Sequence, residues 1–457
     1  MVMIVATVLA HESHIWPDGV PISRLPLQNG SVDWHNEPNS LTQVGKRGEE
    51  IVGNRQGGSK GRRIAVLVSG ALNCFAVGTT YLYGVFQPYI MEYFGIDSAA
   101  ATTPYTLVWM FMTIAQFLAG PLQKRFGVKA TVCLGLFLMA AGNVGCSLLT
   151  PGMSGMLVFL YSVVLGLGLG IAYNSVAATV VRWFPDRKGL ATSISIGMMG
   201  GAGVLLAPVF GSFLAEFGLQ RSFLLMALIF VPCIVLSIAV FRDTPPGYMA
   251  DYKPTGIVAR QTSAHECKNL HDLLTTRDAW LLVLLYFSLV PTFLIASGVF
   301  VSFGVEAKQL TQETAVWFVS AGAIIQVIGR FVVPSLSDKI GRKAAFYVVT
   351  ALMVVSAITI VQMSGIPYAC AYCLMSFAYG GGVTAMPSII ADRLGSTNAT
   401  QNIAFAEIGT LLGSVSSSIL VNVAVTAPAL MMSGVSSCVF GICALVFIYH
   451  VGNRTAE

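Results

Sequence analysis

A single arginine, Arg330, stands in a stretch that is otherwise apolar enough to lie in a lipid bilayer, residues 314–334. A cation at the centre of a membrane helix costs about 2.5–3.5 kcal/mol on insertion scales, so it is usually kept for a partner or a ligand. A guanidinium matches a carboxylate as a two-point fork, and this pair is far stronger in a dry cavity than in water. An arginine in this apolar stretch therefore predicts that Arg330 binds an anion. The alternative is snorkelling to the nearby interface, because Asp338 follows eight residues later.

Other polar residues in the apolar stretches are candidates for the same site. Gln326 lies one helical turn before Arg330 and is predicted to donate a second hydrogen bond, or simply to pack. Four tyrosines offer an apolar ring with a hydroxyl tip, although membrane helices also contain aromatics that only pack; they are Tyr81, Tyr83, Tyr173 and Tyr379. Glu407 is the only acidic residue well inside a predicted span. It is predicted to carry a proton or to form a gate ion pair, the alternative being a solvated helix end.

The composition places these residues in a membrane protein. The chain is 55% hydrophobic and 10% charged, with a mean hydropathy of +0.73, whereas soluble proteins carry about 25% charged residues. The net charge of +5 is too small to indicate a nucleic-acid partner. Eight of the nine cysteines fall in apolar stretches as small packing residues, and the group around His265, Cys267 and His271 is interpreted as an ordinary polar loop. No metal, cofactor or ATP site is predicted, and no nucleophile–base pair indicates an enzyme.

Twelve apolar segments are each long enough to cross ~30 Å of hydrocarbon as a helix. The first six are predicted near 64–90, 103–121, 130–149, 155–181, 189–213 and 222–241. Six more are predicted near 280–303, 314–334, 344–363, 367–390, 402–424 and 430–450. The fold class is therefore all-α and integral to the membrane, with two six-helix halves, residues 64–241 and 280–450. Polar segments complete the chain: an N-terminal tail (1–63) interpreted as disordered, a central loop (242–279) and a C-terminal tail (451–457).

The basic residues predict the orientation in the membrane. Of 26 lysines and arginines, 23 fall in the two tails and in the loops that follow the even-numbered spans, while Arg221 and Lys308 fall in the opposite loops. Cytoplasmic loops carry an excess of Lys and Arg. Both termini, the central loop and these connections are therefore predicted to be cytoplasmic, with the plasma membrane as the expected location.

An internal repeat relates the two halves. The run from Gly120 to Lys129 after the second span recurs as the run from Pro334 to Lys343 after the eighth, at an offset of 214 positions. Each copy is a tight basic turn with a glycine at its bend. The predicted gate residues in these turns are Arg125, Gly127, Asp338, Gly341 and Arg342. Repeated six-helix halves are typical of a secondary transporter, with its site between the halves near the midplane.

In these two turns the chain resembles the major facilitator superfamily. The second turn resembles the family's loop motif, Gly-x-x-x-Asp followed by Arg/Lys, Gly and basic residues, more closely than the first turn, which has Lys124 in the acidic position. Within the superfamily the chain is similar to the oxalate/formate antiporter and monocarboxylate transporter branch. The stretches that carry this similarity are GTTYLYGVF (78–86), GLGIAY (168–173), RWFPDRKGLA (182–191) and YGGG (379–382) with Pro387.

The resemblance implies a role for Arg330, which matches the helix-8 arginine that pairs with the substrate carboxylate in this branch. The chain also departs from the family pattern: Thr410 stands where the antiporters carry a helix-11 lysine, and Gln326 stands where the animal carriers have an acidic residue. One cation favours a monocarboxylate over oxalate. The chain is thus predicted to be a monomeric carrier of small carboxylates, by exchange or proton symport. A non-transporting sensor, and a carrier of neutral or cationic solutes with a structural Arg330, remain alternatives.

Overall fold

The computed structural model describes residues 61–245, Tyr248 and residues 270–423. Long helices make up nearly all of these residues. They are α1 (Gly61–Phe94), α2 and α3 (Ser98–Ser147, divided at Gly127), α4 (Ser154–Trp183), α5 and α6 (Lys188–Val240, divided at Gly218), α7 (Arg277–Ala307), α8 (Gln312–Ile340), α9 (Arg342–Gln362), α10 (Ile366–Leu394) and α11 (Ala399–Ala406 and Ile408–Val423, on either side of Glu407). A short helix, Leu270–Thr275, precedes α7.

The helices agree with the predicted spans in number and order as far as the structure describes them. Eight continuous helices are apolar and long enough to cross a bilayer, and two of these contain two spans each. Several helices extend beyond their predicted spans: α2 begins at Ser98, five residues early, and α8 ends at Ile340, six residues late. The helices α7 and α11 begin at Arg277 and Ala399, each three residues before the predicted span. The twelfth span (430–450), the C-terminal tail, residues 1–60 of the N-terminal tail and the group around His265 and Cys267 lie outside the described residues.

The internal repeat is visible in the backbone. Gly127 divides α2 from α3 with φ 81° and ψ 163°, and Gly341 divides α8 from α9 with φ 90° and ψ 150°. An L-residue with a Cβ avoids this region, so glycine is required at both bends. Gly218 divides α5 from α6 in the same way, with φ 78°. The 214-residue offset found in the sequence therefore corresponds to equivalent turns in the two halves.

Helix packing follows the same repeat. A Cβ added at Gly170 of α4 would lie 2.1 Å from the Met112 carbonyl oxygen of α2, and one at Gly380 of α10 would lie 2.4 Å from the Gln326 carbonyl oxygen of α8. Glycine thus lets α4 pack directly on the backbone of α2, and α10 on that of α8. The two halves meet mainly where α5 packs on α8 and where α11 packs on α2 and α4.

Three of the described helices depart from regular α geometry within their length. In α1 the segment Gly78–Leu82 is a 3₁₀ turn, and Phe159–Leu165 of α4 is a π-helical turn. Gly78 is required by close approach, because a Cβ there would lie 2.0 Å from the Met199 carbonyl oxygen of α5. In α11 the helix is interrupted at Glu407. Such irregular turns inside helices often accompany functional sites.

Candidate functional site

Arg330 lies on α8 at the junction of the two halves. Its residue is 4% exposed, and its Nη2 donates a hydrogen bond to the Tyr81 hydroxyl of α1 at 3.2 Å. The guanidinium carbon is 5.6 Å from the Tyr81 ring centroid, and Nε is buried without a hydrogen-bond partner. The ion pairs that the described residues form use other cations. In the described part of the chain, Arg330 is therefore a buried cation held by a neutral phenol.

Glycines of α5 make room for this side chain. A Cβ added at Gly200 would lie 3.1 Å from Arg330 Cδ and 3.2 Å from its Nε, and one at Gly197 would lie 3.2 Å from the Phe331 ring. Contacts of this length are tighter than ordinary van der Waals packing, so a larger residue would displace the arginine. The small residues of α5 thus allow close contact with α8 while the guanidinium keeps its position.

Tyrosines from three helices, α1, α4 and α10, lie near the guanidinium. Tyr379 of α10 and Tyr173 of α4 lie within electrostatic range of Arg330, as does Tyr81. The Tyr379 ring stacks on Phe293 of α7 at 4.1 Å between centroids, with an interplanar angle of 10°. The Tyr81 ring lies 5.4 Å from Trp109 of α2. The structure therefore brings three of the four predicted tyrosines together around Arg330, in walls that combine apolar faces with hydroxyl groups.

Two other predicted site residues, Tyr83 and Gln326, make packing contacts with neighbouring helices. Tyr83 is 2% exposed and donates its hydroxyl to the Ala101 carbonyl oxygen at 2.6 Å, so it ties α1 to α2 within the first half. Its ring packs on Tyr161 at 4.7 Å between centroids. Gln326 lies against Gly380 of α10. Both residues support the packing beneath the site in this conformation.

Glu407 is buried where α11 meets the first half. It is 5% exposed; its Oε2 accepts a hydrogen bond from Gln116 Nε2 of α2 at 2.6 Å, and its Oε1 accepts one from the Tyr286 hydroxyl of α7 at 3.5 Å. The Tyr173 hydroxyl interacts with the same carboxyl group. Because α11 starts at Ala399, Glu407 lies about 12 Å along the helix. It is thus deeper than the predicted span implied, and it joins both halves.

One end of the bundle, called here the basic end, carries the α2–α3, α4–α5, α8–α9 and α10–α11 connections. Asp338 at the end of α8 accepts backbone hydrogen bonds from Gly189 at 3.0 Å and Leu190 at 2.8 Å, in the first turn of α5. A carboxylate at a helix N-terminus satisfies free N–H groups and complements the helix dipole. The predicted gate residue Asp338 therefore caps a helix of the opposite half.

Three more charged side chains strengthen this junction. Arg342, which is 1% exposed, pairs with Asp338 at 2.6 Å and with Asp392 of α10 at 2.9 Å. Asp392 also accepts a 2.6 Å contact from Lys188 at the start of α5. Each buried charge in the network has a partner of opposite sign, as burial of charge requires. The network closes the basic end in this structure.

The first copy of the repeat forms a different junction. Arg125 is exposed, with its guanidinium 5.3 Å from the ring centroid of its neighbour Phe126. At the start of α11 the contact is made by neutral groups: Asn174 Nδ2 donates to the Thr400 carbonyl oxygen at 2.8 Å, and the Thr400 hydroxyl donates to Gln123 Oε1 at 3.0 Å. The substitution of Lys124 for an acidic residue is thus accompanied by a junction of amides and hydroxyls.

The Trp-Phe-Pro-Asp-Arg-Lys-Gly run (183–189) holds the α4–α5 connection against the first half. Trp183 Nε1 donates to the Arg242 carbonyl oxygen at 2.8 Å. Arg63 of α1 pairs with Asp186, and its guanidinium lies 4.1 Å from the ring centroid of Phe184. These contacts fix the place where α5 starts, and with it Lys188 and the amides that Asp338 caps.

Four residues of the site escaped the sequence predictions: Gln116, Tyr286, Lys188 and Asp392. The repeat contained a signal for one of them, since the 214-residue offset that relates the basic turns places Gln116 at the position equivalent to Arg330. Asp392 falls just beyond the predicted tenth span. Tyr286 gave no signal that distinguished it from a packing aromatic.

Comparisons with known proteins agree with this architecture. The sequence profile of the Major Facilitator Superfamily matches residues 68–418. The chain is 24% identical over 357 residues to an uncharacterized MFS-type transporter, YhjX, of Escherichia coli, covering 77% of this chain and 86% of that one. It is 26% identical over 343 residues to the oxalate:formate antiporter of Oxalobacter formigenes, covering 73% and 78%. The crystal structure of the transporter FucP in the outward conformation superposes with a TM-score of 0.65 at 16% identity, covering 84% of this chain and 98% of FucP.

Proposed function

This chain belongs to the major facilitator superfamily, and we propose that it carries small organic anions, monocarboxylates above all, by alternating access. The observation that supports this most strongly is Arg330, a buried guanidinium with a neutral partner and an unused Nε. Burial of an uncompensated cation is costly, and a carboxylate ligand would offset that cost with charge-assisted hydrogen bonds. The similarity to the oxalate:formate antiporter points to the same class of solute.

The charge of the site favours a monoanion. Arg330 contributes one positive charge, and Thr410 stands at the position where the resemblance leads one to expect a second cation. The Thr410 hydroxyl is buried without a hydrogen-bond partner. A dianion would leave one negative charge uncompensated in a dry site, which is unfavourable. The aromatic walls formed by Tyr81, Tyr173 and Tyr379 suit a short carbon chain next to the carboxylate.

Alternating access requires the junction at the basic end to open and close. We assign the basic end to the cytoplasm because 23 of 26 basic residues are predicted to lie on one side. Under this assignment the structure is closed towards the cytoplasm, and Asp338 and Asp392 of the second half hold the start of α5 in the first half. The carrier works as a monomer in the plasma membrane under this proposal, as an exchanger or as a proton symporter.

Counterflow in proteoliposomes tests the proposal. Vesicles loaded with unlabelled carboxylate take up the labelled form in exchange, and a panel of formate, lactate, pyruvate, oxalate and malate is compared at two pH values. Monocarboxylates are expected to exchange faster than the dianions, and lactamide, the neutral analogue of lactate, is expected not to exchange. A sensor that kept the fold would show no counterflow with any solute. A carrier of neutral or cationic solutes would accept lactamide or an amine instead.

A further inference from the structure

We propose that Glu407 is a proton-binding site that closes the basic end: the protein takes up one proton at this carboxyl group when the two halves come together there. The inference rests on the proposed alternating access but not on the identity of the solute. It concerns a group that lies apart from the guanidinium of Arg330, at the contact of α11 with α2, α4 and α7.

The first support is burial without charge compensation. The groups that interact with the Glu407 carboxyl among the described residues are the Gln116 amide and the Tyr286 and Tyr173 hydroxyls, all neutral near pH 7. The residue is 5% exposed. An ionised carboxylate taken from water into such a place loses most of its hydration, and neutral donors replace only part of it. The protonated carboxyl avoids this cost.

The second support is an unused acceptor beside it. Gln116 Oε1 is buried without a hydrogen-bond partner, while Nε2 of the same amide points to Glu407 at 2.6 Å. A buried carbonyl oxygen left unpaired is costly. If Glu407 carries a proton and the amide turns over, the carboxyl O–H is a donor that Oε1 can accept. The ionised carboxylate has no hydrogen to offer this oxygen.

The third support is the position of Glu407 across the two halves. Its own helix α11 and Tyr286 belong to the second half, whereas Gln116 and Tyr173 belong to the first. When the basic end opens, α11 must separate from α2 and α4, and the carboxyl group leaves Gln116 and Tyr173 for water. The environment that disfavours the ionised form therefore exists when the basic end is closed.

In the described part of the chain, no charged group is among those that interact with the Glu407 carboxyl. Of the helices packed against α11, α2 presents the uncharged Gln116, while α4, α7 and α10 present Tyr173, Tyr286 and Tyr379. The short helix Leu270–Thr275 also contacts α11 and carries His271 and Asp272 at the basic end, where His271 is exposed. Tyr173 and Tyr379 interact with both Arg330 and Glu407.

The sign of the pH dependence follows from linkage. The closed form binds the proton more tightly than the open form, so a rise in pH favours the open form. For one proton, the closed-to-open ratio falls by at most tenfold per pH unit, and it is constant outside the range between the two proton affinities. The substitution Glu407→Gln keeps a neutral, hydrogen-bonding side chain of the same size, and it is expected to hold the basic end closed at every pH.

Single-molecule energy transfer measures this ratio without any solute. Dyes are attached through non-native amino acids at Lys124 in the first half and Lys339 in the second, both exposed at the basic end. The full-length protein in nanodiscs is titrated from about pH 5 to about pH 9, a range wide enough for a perturbed carboxyl group. Wild type is expected to lose the closed population as pH rises, and E407Q to keep it. Glu216→Gln, the same change at an exposed carboxylate, is the matched control.

Two further measurements separate proton binding from packing. Infrared difference spectra are expected to show the carbonyl stretch of a protonated carboxyl that titrates in wild type and in E216Q but is missing in E407Q. Tyr286→Phe removes a hydroxyl that donates to the ionised carboxylate, so the transition is expected to move to higher pH. A closed population that is independent of pH in wild type, that follows pH equally in E407Q, or that follows sodium concentration instead would overturn the proposal. None of these results depends on whether a carboxylate is transported.

Discussion

The substitution Asp338→Asn tests the junction that closes the basic end. In the structure Asp338 accepts two backbone hydrogen bonds from the start of α5, at 3.0 and 2.8 Å. Asparagine keeps one oxygen but turns the other acceptor into a donor that faces an N–H group. The closed form then loses one charge-assisted hydrogen bond and the charge contribution to the other, about 2–4 kcal/mol together. Arg342 keeps Asp392 as a partner at 2.9 Å, so no buried cation is left unpaired.

At 1.36 kcal/mol per tenfold change, this loss lowers the closed-to-open ratio by roughly 30- to 900-fold. The energy-transfer pair at Lys124 and Lys339 reads the ratio directly, and D338N is expected to populate the open form. The matched control is Asp243→Asn, because Asp243 pairs with Arg182 at 3.1 Å within the first half and spans no junction. If D338N were as closed as wild type, or if D243N opened the basic end as much, the assigned role of Asp338 would be wrong.

Two further predictions concern the surroundings of Arg330. Gly200→Ala places a methyl group 3.1 Å from Arg330 Cδ, so the guanidinium must shift. The apparent affinity measured by counterflow is expected to fall about tenfold, as for one weakened charge-assisted hydrogen bond. The control is Gly211→Ala, whose Cβ meets Val85 at an ordinary 3.9 Å and which is expected to be neutral. Equal effects of the two alanines would contradict the close contact of α5 with Arg330. Tyr81→Phe removes the 3.2 Å partner of Arg330, so the half-saturating solute concentration is expected to rise up to about tenfold. Tyr93→Phe, which loses a 3.1 Å hydrogen bond to the Leu149 carbonyl oxygen within the first half, is expected to leave that concentration unchanged.

Much of the fold follows from the sequence because membrane helices satisfy their backbone internally. Apolar length alone predicts the spans, and the structure has helices at the eleven that fall in its described residues. The glycine bends were also predictable, since Gly127 and Gly341 stand at equivalent positions of a visible repeat. The starts of α7 and α11 were not predictable, because the polar residues there lie outside the apolar stretch from which a span is predicted.

Site residues were predictable only where the residue type is rare in membrane spans. A lone arginine in an apolar span is conspicuous, and the structure buries Arg330 between the halves, next to Tyr81. Tyrosines are common in such spans, and nothing in the sequence separates Tyr83, whose hydroxyl binds the Ala101 carbonyl oxygen, from Tyr81, whose hydroxyl meets Arg330. The partners of Glu407 come from three other helices, 121 to 291 positions away in the chain for Tyr286 and Gln116. Such long-range pairings depend on how the halves dock, which no local pattern encodes.

Counterflow of a labelled monocarboxylate by Arg330 variants is the decisive measurement. Arg330→Gln removes the cation and Arg330→Lys removes the two-point fork, while Arg221→Gln changes an exposed arginine as a control. Loss of one partner of a buried charge pair costs about 2–5 kcal/mol, so R330Q is expected to lower transport efficiency by at least about 30-fold, with R330K in between and R221Q unchanged. Equal transport by wild type and R330Q would show that the guanidinium does not bind the solute.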